Sequence, residues 1–327
     1  MTVPTKTRTG LAAVAVLLAV FLLAGCGVGR GSAVELKSGD PIRVGVIPVA
    51  DFAPVYIAAD EGYFADEGLN VKTQVMQNAA AIAPSVINGQ LQFGTAAAPP
   101  FLAAVQKGLP LEAVANGTSI AADPKKDPSA LVAAPGSGIS RAKDLEGRTV
   151  AVNALSSIVH VTAAAAVKAD GGDPAKVTFV AMPFPDMIPA LARGAVDAAS
   201  LVEPFYARSV AQGARVLANP YSAVLKPNGT FTVIFTAQPF IETNPDVVEK
   251  FARAINRASV EAARDPQKVG AVLAKYGKLP PDVFARIRVP MYSDKLDTAA
   301  LANTADLMRG LGFLPGGVDV EGAVWKK

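Results

Sequence analysis

The chain is poor in the residues from which disulfide frameworks, metal sites and nucleophilic centres are built. Among 327 residues there is one cysteine, Cys26, and one histidine, His160. A single cysteine excludes an internal disulfide, and in an exported chain it needs another fate. One imidazole and scattered carboxylates give no recognisable metal-ligand spacing, so neither a metal nor a cofactor is expected. There is no G-x-S-x-G elbow, no H-E-x-x-H helix and no Walker loop, which argues against an enzyme. Charge of one sign is scarce too: 31 basic residues face 28 acidic ones, and Lys6 and Arg8 lie in a segment read below as removed. The basic footprint of a nucleic-acid binder is therefore missing. What the chain has in quantity is apolar surface, 51% of its residues, enough for a large core in one large or two medium domains.

The first 26 residues fall into three zones: a basic start with Lys6 and Arg8, an uncharged apolar run over residues 10–23, and Leu23-Ala24-Gly25-Cys26. That is the layout of an export signal over residues 1–25. The run is shorter than the ~20 residues that span a bilayer, and small residues stand where a peptidase needs them, so a permanent transmembrane helix is the weaker reading. Leu-Ala-Gly-Cys resembles the bacterial lipobox, which implies a diacylglycerol on the Cys26 thiol, cleavage just before it and acylation of the new amino terminus. Each buried methylene adds roughly 0.8 kcal/mol of membrane affinity, so two or more chains anchor stably. The glycine-rich residues 27–32 follow an apolar signal rather than a strand, so they are no phosphate loop. Residues 26–40 read as a lipidated tether, and the expected location is the extracytoplasmic face of the cell membrane.

From residue 42 onward, short apolar runs alternate with helix-like stretches. Strands are expected over residues 42–47, 69–75, 91–93 and 111–115, then 131–134, 149–153, 177–181, 197–201 and 215–218, and finally 230–236. Such alternation predicts an α/β fold whose sheets are mostly parallel and covered by helices. Proline-rich breaks at residues 122–128 and 219–229 interrupt it. The tail is helical, with Val247, Val248, Phe251, Ile255, Ala258 and Ala262 at three- and four-residue spacing. Lacking a sheet of its own, it should pack on the first unit. The expectation is two lobes joined by two hinge crossovers, with residues 41–127 and 233–327 in the first lobe and 128–232 in the second.

Ligands of open α/β sheets bind beyond the carboxyl ends of the strands. That rule selects Asp51-Phe52-Ala53, Asn78, Thr95-Ala96 and Asn116 in the first lobe. In the second it selects Ser156-Ser157, residues 183–187 and Glu203. Ser156 and Ser157 precede a helix, where one can cap it while free N–H groups accept an electron-rich ligand atom; a cap alone is the equal alternative. His160, in that first turn, is able to donate to a ligand, although an isolated histidine is more often structural. Asp186 and Glu203 stand at helix starts and serve either the ligand or the helix dipole. No Arg or Lys falls among these positions. An anionic ligand would thus rest on N–H groups and hydroxyls, whereas an amine or heteroaromatic nitrogen could use the carboxylates.

The stretch Tyr56-Ile57-Ala58-Ala59-Asp60-Glu61-Gly62-Tyr63-Phe64-Ala65-Asp66-Glu67-Gly68-Leu69 resembles the opening motif, Y-x-A-x-x-x-G-Y-F-x-x-E-G-L, of the nitrate/sulfonate/taurine and thiamine-pyrimidine-precursor binding proteins. Asp144-Leu145-Glu146-Gly147-Arg148 and Leu191-Ala192-Arg193-Gly194-Ala195-Val196-Asp197-Ala198, leading to Glu203-Pro204-Phe205, extend the likeness across residues 42–264. The resemblance implies a type II periplasmic-binding-protein fold, a small-molecule ligand enclosed between lobes, and an ABC permease as partner of a monomer. Carried over, it places Phe52, Ala53, Asn78, Thr95, Ala96, Asn116, Ser156, Ser157 and the Asp186 and Glu203 loops around the cleft. Pro84 departs from it by falling where the family continues a helix. Alkanesulfonate, taurine, nitrate, a pyrimidine and an aromatic acid all remain open as ligands. A ligand-binding sensor without transport is the first alternative, and a pyrimidine-synthase-like enzyme using a histidine and a pyridoxal cofactor is the second.

Overall fold

Strand β1 (Pro41–Val46) starts with Pro41 and Arg43 exposed and is sealed from Val44 onward, as befits a strand entering a sheet covered on both faces. It pairs in parallel with β2 (Asn70–Val75) on one side and β3 (Phe93–Ala97) on the other. β4 (Leu111–Asn116) does not reach β3 directly. The late strand β10 (Thr232–Ala237) inserts antiparallel between them and gives the order β2-β1-β3-β10-β4. The computed structural model describes residues 1–2, 35–76 and 79–327. The expected signal, Cys26 and Asn78 thus lie outside the described residues, as does most of the tether. No helix among the described residues is long and apolar enough to cross a membrane.

A second sheet holds β5 (Ser129–Ala133), β6 (Thr149–Val152), β7 (Thr178–Ala181), β8 (Ala198–Val202) and β9 (Arg215–Ala218) in the order β7-β6-β8-β5-β9. Here β5 is the antiparallel member, facing β8 and β9. Each sheet is therefore mostly parallel, and the reversed strand in each is the first one laid down after a crossing. Both expected crossovers are present, and they run side by side: Ile120 N–H donates to Gly229 O at 2.9 Å and Asn228 N–H to Ile120 O at 2.8 Å. Gly117 lies where a Cβ would collide with Thr232, whose hydroxyl accepts from Thr118 N–H at 2.8 Å. Residues 288–293 add a third segment, with Ser119 N–H bonded to Met291 O at 2.8 Å.

The tail packs as its periodicity requires. Helix Pro245–Arg264 buries Val248, Phe251, Ile255, Ala258 and Ala262, and Phe251 stacks on Phe93 at 3.8 Å and on Phe64 at 5.0 Å. Full burial of such a ring contributes roughly 1.5–3 kcal/mol. Helix Pro266–Gly277 lies against Ala53–Asp60, and Thr298–Gly310 against Ala98–Gln106, while the short helix Pro281–Phe284 touches Phe205–Ala211 of the second lobe. Pro84 falls in the first turn of helix Ile82–Ile87, where its missing N–H removes no helical bond.

One strand is displaced from its expected position. β3 occupies Phe93–Ala97 rather than residues 91–93. Its small residues are dictated by crowding, since a Cβ on Gly94 would meet Ile82 and Phe235. Side chains this small carry little hydrophobic signal even though the strand is buried.

Candidate functional site

The carboxyl ends of the parallel strands in both sheets lead into one narrow cleft. After β1 the chain makes a single turn, Ala50–Phe52, before helix Ala53–Asp60, whose Pro54 pre-sets the first helical turn. After β6 it bends through Ser156, at φ 59°, and enters helix Ile158–Ala169. Ser157 caps that helix, its hydroxyl accepting from His160 N–H at 3.4 Å. The cleft, about 400 Å³ including its mouth, is walled on the first-lobe side by Ile47, Val49, Asp51, Phe52, Ala97 and Pro100. Asn153, Ser157, Ile158, Val159, Phe184 and Val202 face them from the second lobe, with Tyr221 and Thr232 at the crossover.

Asp51 lines the cleft, two further buried carboxylates, Asp127 and Glu203, lie near it, and the surroundings of the three differ. Asp127 is saturated: one oxygen accepts Ser129 N–H at 2.8 Å and its hydroxyl at 2.6 Å, the other Ser222 N–H at 2.7 Å and its hydroxyl at 2.8 Å. Glu203 accepts Arg288 N–H at 3.0 Å and Ala207 N–H at 3.1 Å. Burial nevertheless pushes Glu203 up from 4.5 to about 7. Asp51 is pushed up from 3.8 to about 7, first by burial and further by the neighbouring Asp127. Oδ1 of Asp51 has no hydrogen-bond partner among the described residues. The Asp51 loop is pinned on both sides of the peptide: Ala50 N–H donates to Glu203 O at 3.0 Å, and Tyr292 OH donates to Ala50 O at 2.7 Å.

Of the residues selected from the sequence, Asp51, Phe52 and Ser157 line the cleft. Ala53 is buried beside Phe52 but belongs to the core. Thr95 and Ala96 lie within β3, paired with Ile234 and Val233, and the Thr95 hydroxyl donates to Gly45 O at 3.1 Å; the strand continues past them and brings Ala97 to the cleft instead. Asn116 is consumed by the hinge, donating to Ser293 O at 2.8 Å and accepting from the Thr230 hydroxyl at 2.8 Å. Asp186 is exposed, as a helix-start residue would be, while Phe184 of the same turn faces the ligand space. Ser156 and His160 bond each other rather than the cleft: Ser156 N–H donates to His160 Nδ1 at 2.9 Å. The His160 ring packs 4.2 Å from Phe179 and 4.8 Å from Phe313 in a separate surface groove. Burial lowers its pKa from 6.5 to about 4, so the ring is neutral.

Two mixed sheets in this order, joined by paired crossovers and enclosing a cleft at their strand ends, define the two-lobed periplasmic-binding-protein fold. The NMT1/THI5-like family pattern matches residues 49–269, and the chain belongs to that family. It is 27% identical over 240 residues to the riboflavin-binding protein RibY of Chloroflexus aurantiacus, covering 69% of this chain and 63% of that one. It is also 27% identical over 202 residues to the taurine-binding periplasmic protein of Escherichia coli, covering 62% and 60%. The chain thus spans less than two thirds of the length of either curated relative. The alkanesulfonate-binding protein SsuA from Xanthomonas axonopodis pv. citri, bound to MOPS, shares the fold with a TM-score of 0.76 at 21% identity, covering 89% of this chain and 99% of that one. The nitrate-binding protein NrtA from Synechocystis PCC 6803 does so at 0.71 and 14%, covering 86% and 84%.

Proposed function

We propose that this chain is the extracytoplasmic solute-binding lipoprotein of an ABC importer, capturing a small polar organic molecule between its lobes and delivering it to a membrane permease. The observation that carries this reading is the cleft itself, set where both sheets end and edged by buried polar atoms that have no partner among the described residues. Export through residues 1–25, anchoring through Cys26, and lobes comprising residues 41–127 with 233–327 and residues 128–232 belong to the same proposal. A ligand touching both lobes favours the closed form and shifts the population toward it, which lets a permease tell loaded from empty. Binding without turnover fits the placement of His160, because the one imidazole of the chain is packed against phenylalanine rings away from the cleft.

The test pairs binding with uptake. A solute screen by thermal shift should find a ligand that, at ~100 times its dissociation constant, stabilises the fold by roughly 2.7 kcal/mol. Uptake of that radiolabelled solute should then fall in cells lacking the chain. Unchanged uptake would favour the sensor alternative, and conversion of the solute by the purified protein would favour the enzyme.

A further inference from the structure

Three polar atoms at the cleft have no hydrogen-bond partner among the described residues: Asp51 Oδ1, the Tyr221 hydroxyl and Asn153 Oδ1. Asp51 and Tyr221 keep only 4% and 1% of their surface. Buried polar atoms are rarely left unpaired, and those that are call for an explanation. Two of the three atoms, Asp51 Oδ1 and Asn153 Oδ1, are acceptors that a ligand donor would satisfy, and the Tyr221 hydroxyl beside them can accept as well as donate. No Lys, Arg or His lines the cleft to supply such donors. Asp127 and Glu203 already hold their own N–H and hydroxyl partners, which leaves Asp51 as the carboxylate with capacity to spare. Among the described residues no group of three His, Cys, Asp or Glu could hold a metal ion, so the missing donors are not a bound cation's coordination sphere. The remaining wall is apolar, with Phe52 facing the ligand space and Phe184 braced by stacking on Phe205 at 5.5 Å.

Taking solute capture at this cleft as given, we propose that the ligand presents a protonated or N–H-bearing nitrogen to Asp51, with the Tyr221 hydroxyl and Asn153 beside it, and that Asp51 determines specificity against simple anions. The chemical class is an organic amine, an amidine or an amino-substituted heterocycle with a compact apolar body. A nitrate ion or an unsubstituted sulfonate would enter a pocket whose lining supplies no counter-charge, beside a carboxyl that becomes a buried anion above about pH 7. Asp51 faces Asp127 from the first crossover, Tyr221 from the second, Tyr292 from the tail and Glu203 from the loop after β8, with Arg288 beyond Glu203. Since Asp51 keeps its proton up to about pH 7, a cation must displace that proton at lower pH. Its affinity should weaken by up to about tenfold for each pH unit below 7.

The test is calorimetric titration of the full chain with two sets of probes: benzylamine, benzamidine and 2-aminopyridine against benzoate, benzenesulfonate and nitrate. Binding is expected for the nitrogen probes, tightening for the two cations from pH 5.5 to 7.5. Asp51→Asn should weaken the cations at least about thirtyfold, the cost of removing one member of a buried charge pair. Tyr221→Phe deletes an atom with no partner among the described residues, and should weaken the same probes five- to tenfold, about one hydrogen bond. Binding confined to the anions would overturn the nitrogen assignment while leaving solute capture standing. Equal binding of the cations by wild type and Asp51→Asn would overturn it as well. Silence of both probe sets also counts against it, and solute capture would then be decided by the uptake experiment alone.

Discussion

Asp51→Asn should make the unliganded protein more stable at pH 8, although it removes a charged residue from a folded interior. The wild-type carboxyl is raised from 3.8 to about 7 by burial, so the folded state holds its proton more tightly than the unfolded chain does. Stability from this group is fully present below pH 4, declines as pH rises and is lost above about 7. At 1.36 kcal/mol per pH unit, the loss amounts to about 4 kcal/mol. Glu203, raised from 4.5 to about 7, acts in the same window and adds to the decline. An asparagine has no proton to lose and nearly the same shape. Urea unfolding at pH 4.5, 6 and 8 should therefore show the variant near wild type at the lowest pH and up to about 4 kcal/mol more stable at the highest. Equal stability of the two proteins at pH 8, or a wild type no weaker at pH 8 than at pH 4.5, would refute the claim that this carboxylate is buried without compensation.

Other substitutions separate the hinge, the core and the anchor. Asp127→Ala leaves two N–H groups and two hydroxyls around the crossover without their acceptor; a loss of about 3–5 kcal/mol is expected by urea unfolding at pH 7, and less than about 1 kcal/mol would show that the network is not structural. Phe93→Ala removes the ring between Phe251 and Phe240 and should cost about 3–5 kcal/mol, read as a lower urea midpoint with an unchanged slope. Cys26→Ala should move the protein from the membrane fraction to the extracytoplasmic soluble fraction; retention in the membrane would remove the lipid anchor from the proposal.

Most strand positions and the crossovers were legible in the sequence because both leave local signals, whereas the order of strands within each sheet leaves none. Valine-, isoleucine- and leucine-rich runs mark buried strands, and proline with asparagine or glycine marks the breaks between lobes. β3 was misplaced because its residues Gly94, Thr95 and Ala96 are small for reasons that only the packed neighbours reveal. The strand-end rule found the loops of Asp51, Ser157 and Phe184, but no local pattern shows that Asp51 would be sealed without a partner. Tyr221 escaped because it sits in a crossover rather than at a strand end. His160 was drawn in by its closeness to Ser157, yet at about 100° per residue a helix that turns Ile158 and Val159 toward the cleft turns residue 160 away. Asn116 and Glu203 were selected as ligand contacts, but Asn116 bonds Ser293 O and the Thr230 hydroxyl, and Glu203 bonds the N–H groups of Arg288 and Ala207.

The same burial that weakens the empty protein links ligand chemistry to closure. Asp51 is enclosed by elements of both lobes, since Val202, Phe184 and Tyr221 share its cleft and Glu203 O holds the peptide of Ala50 before it. In the proposed open form the carboxylate would meet water, so closing the empty protein would cost up to about 4 kcal/mol at pH 8, and opening would relieve the same part of the loss in unfolding stability. Shifting a two-state equilibrium from 1:99 to 99:1 takes about 5.5 kcal/mol, so relief at this one group supplies most of a switch. Two things relieve it: a proton, or a nitrogen cation from the ligand. The unliganded protein is therefore expected to have a smaller radius of gyration at pH 5 than at pH 8 by small-angle scattering, and Asp51→Asn to be compact at both. A wild-type radius that does not change between the two pH values would show that the Asp51 carboxylate plays no part in closing the cleft.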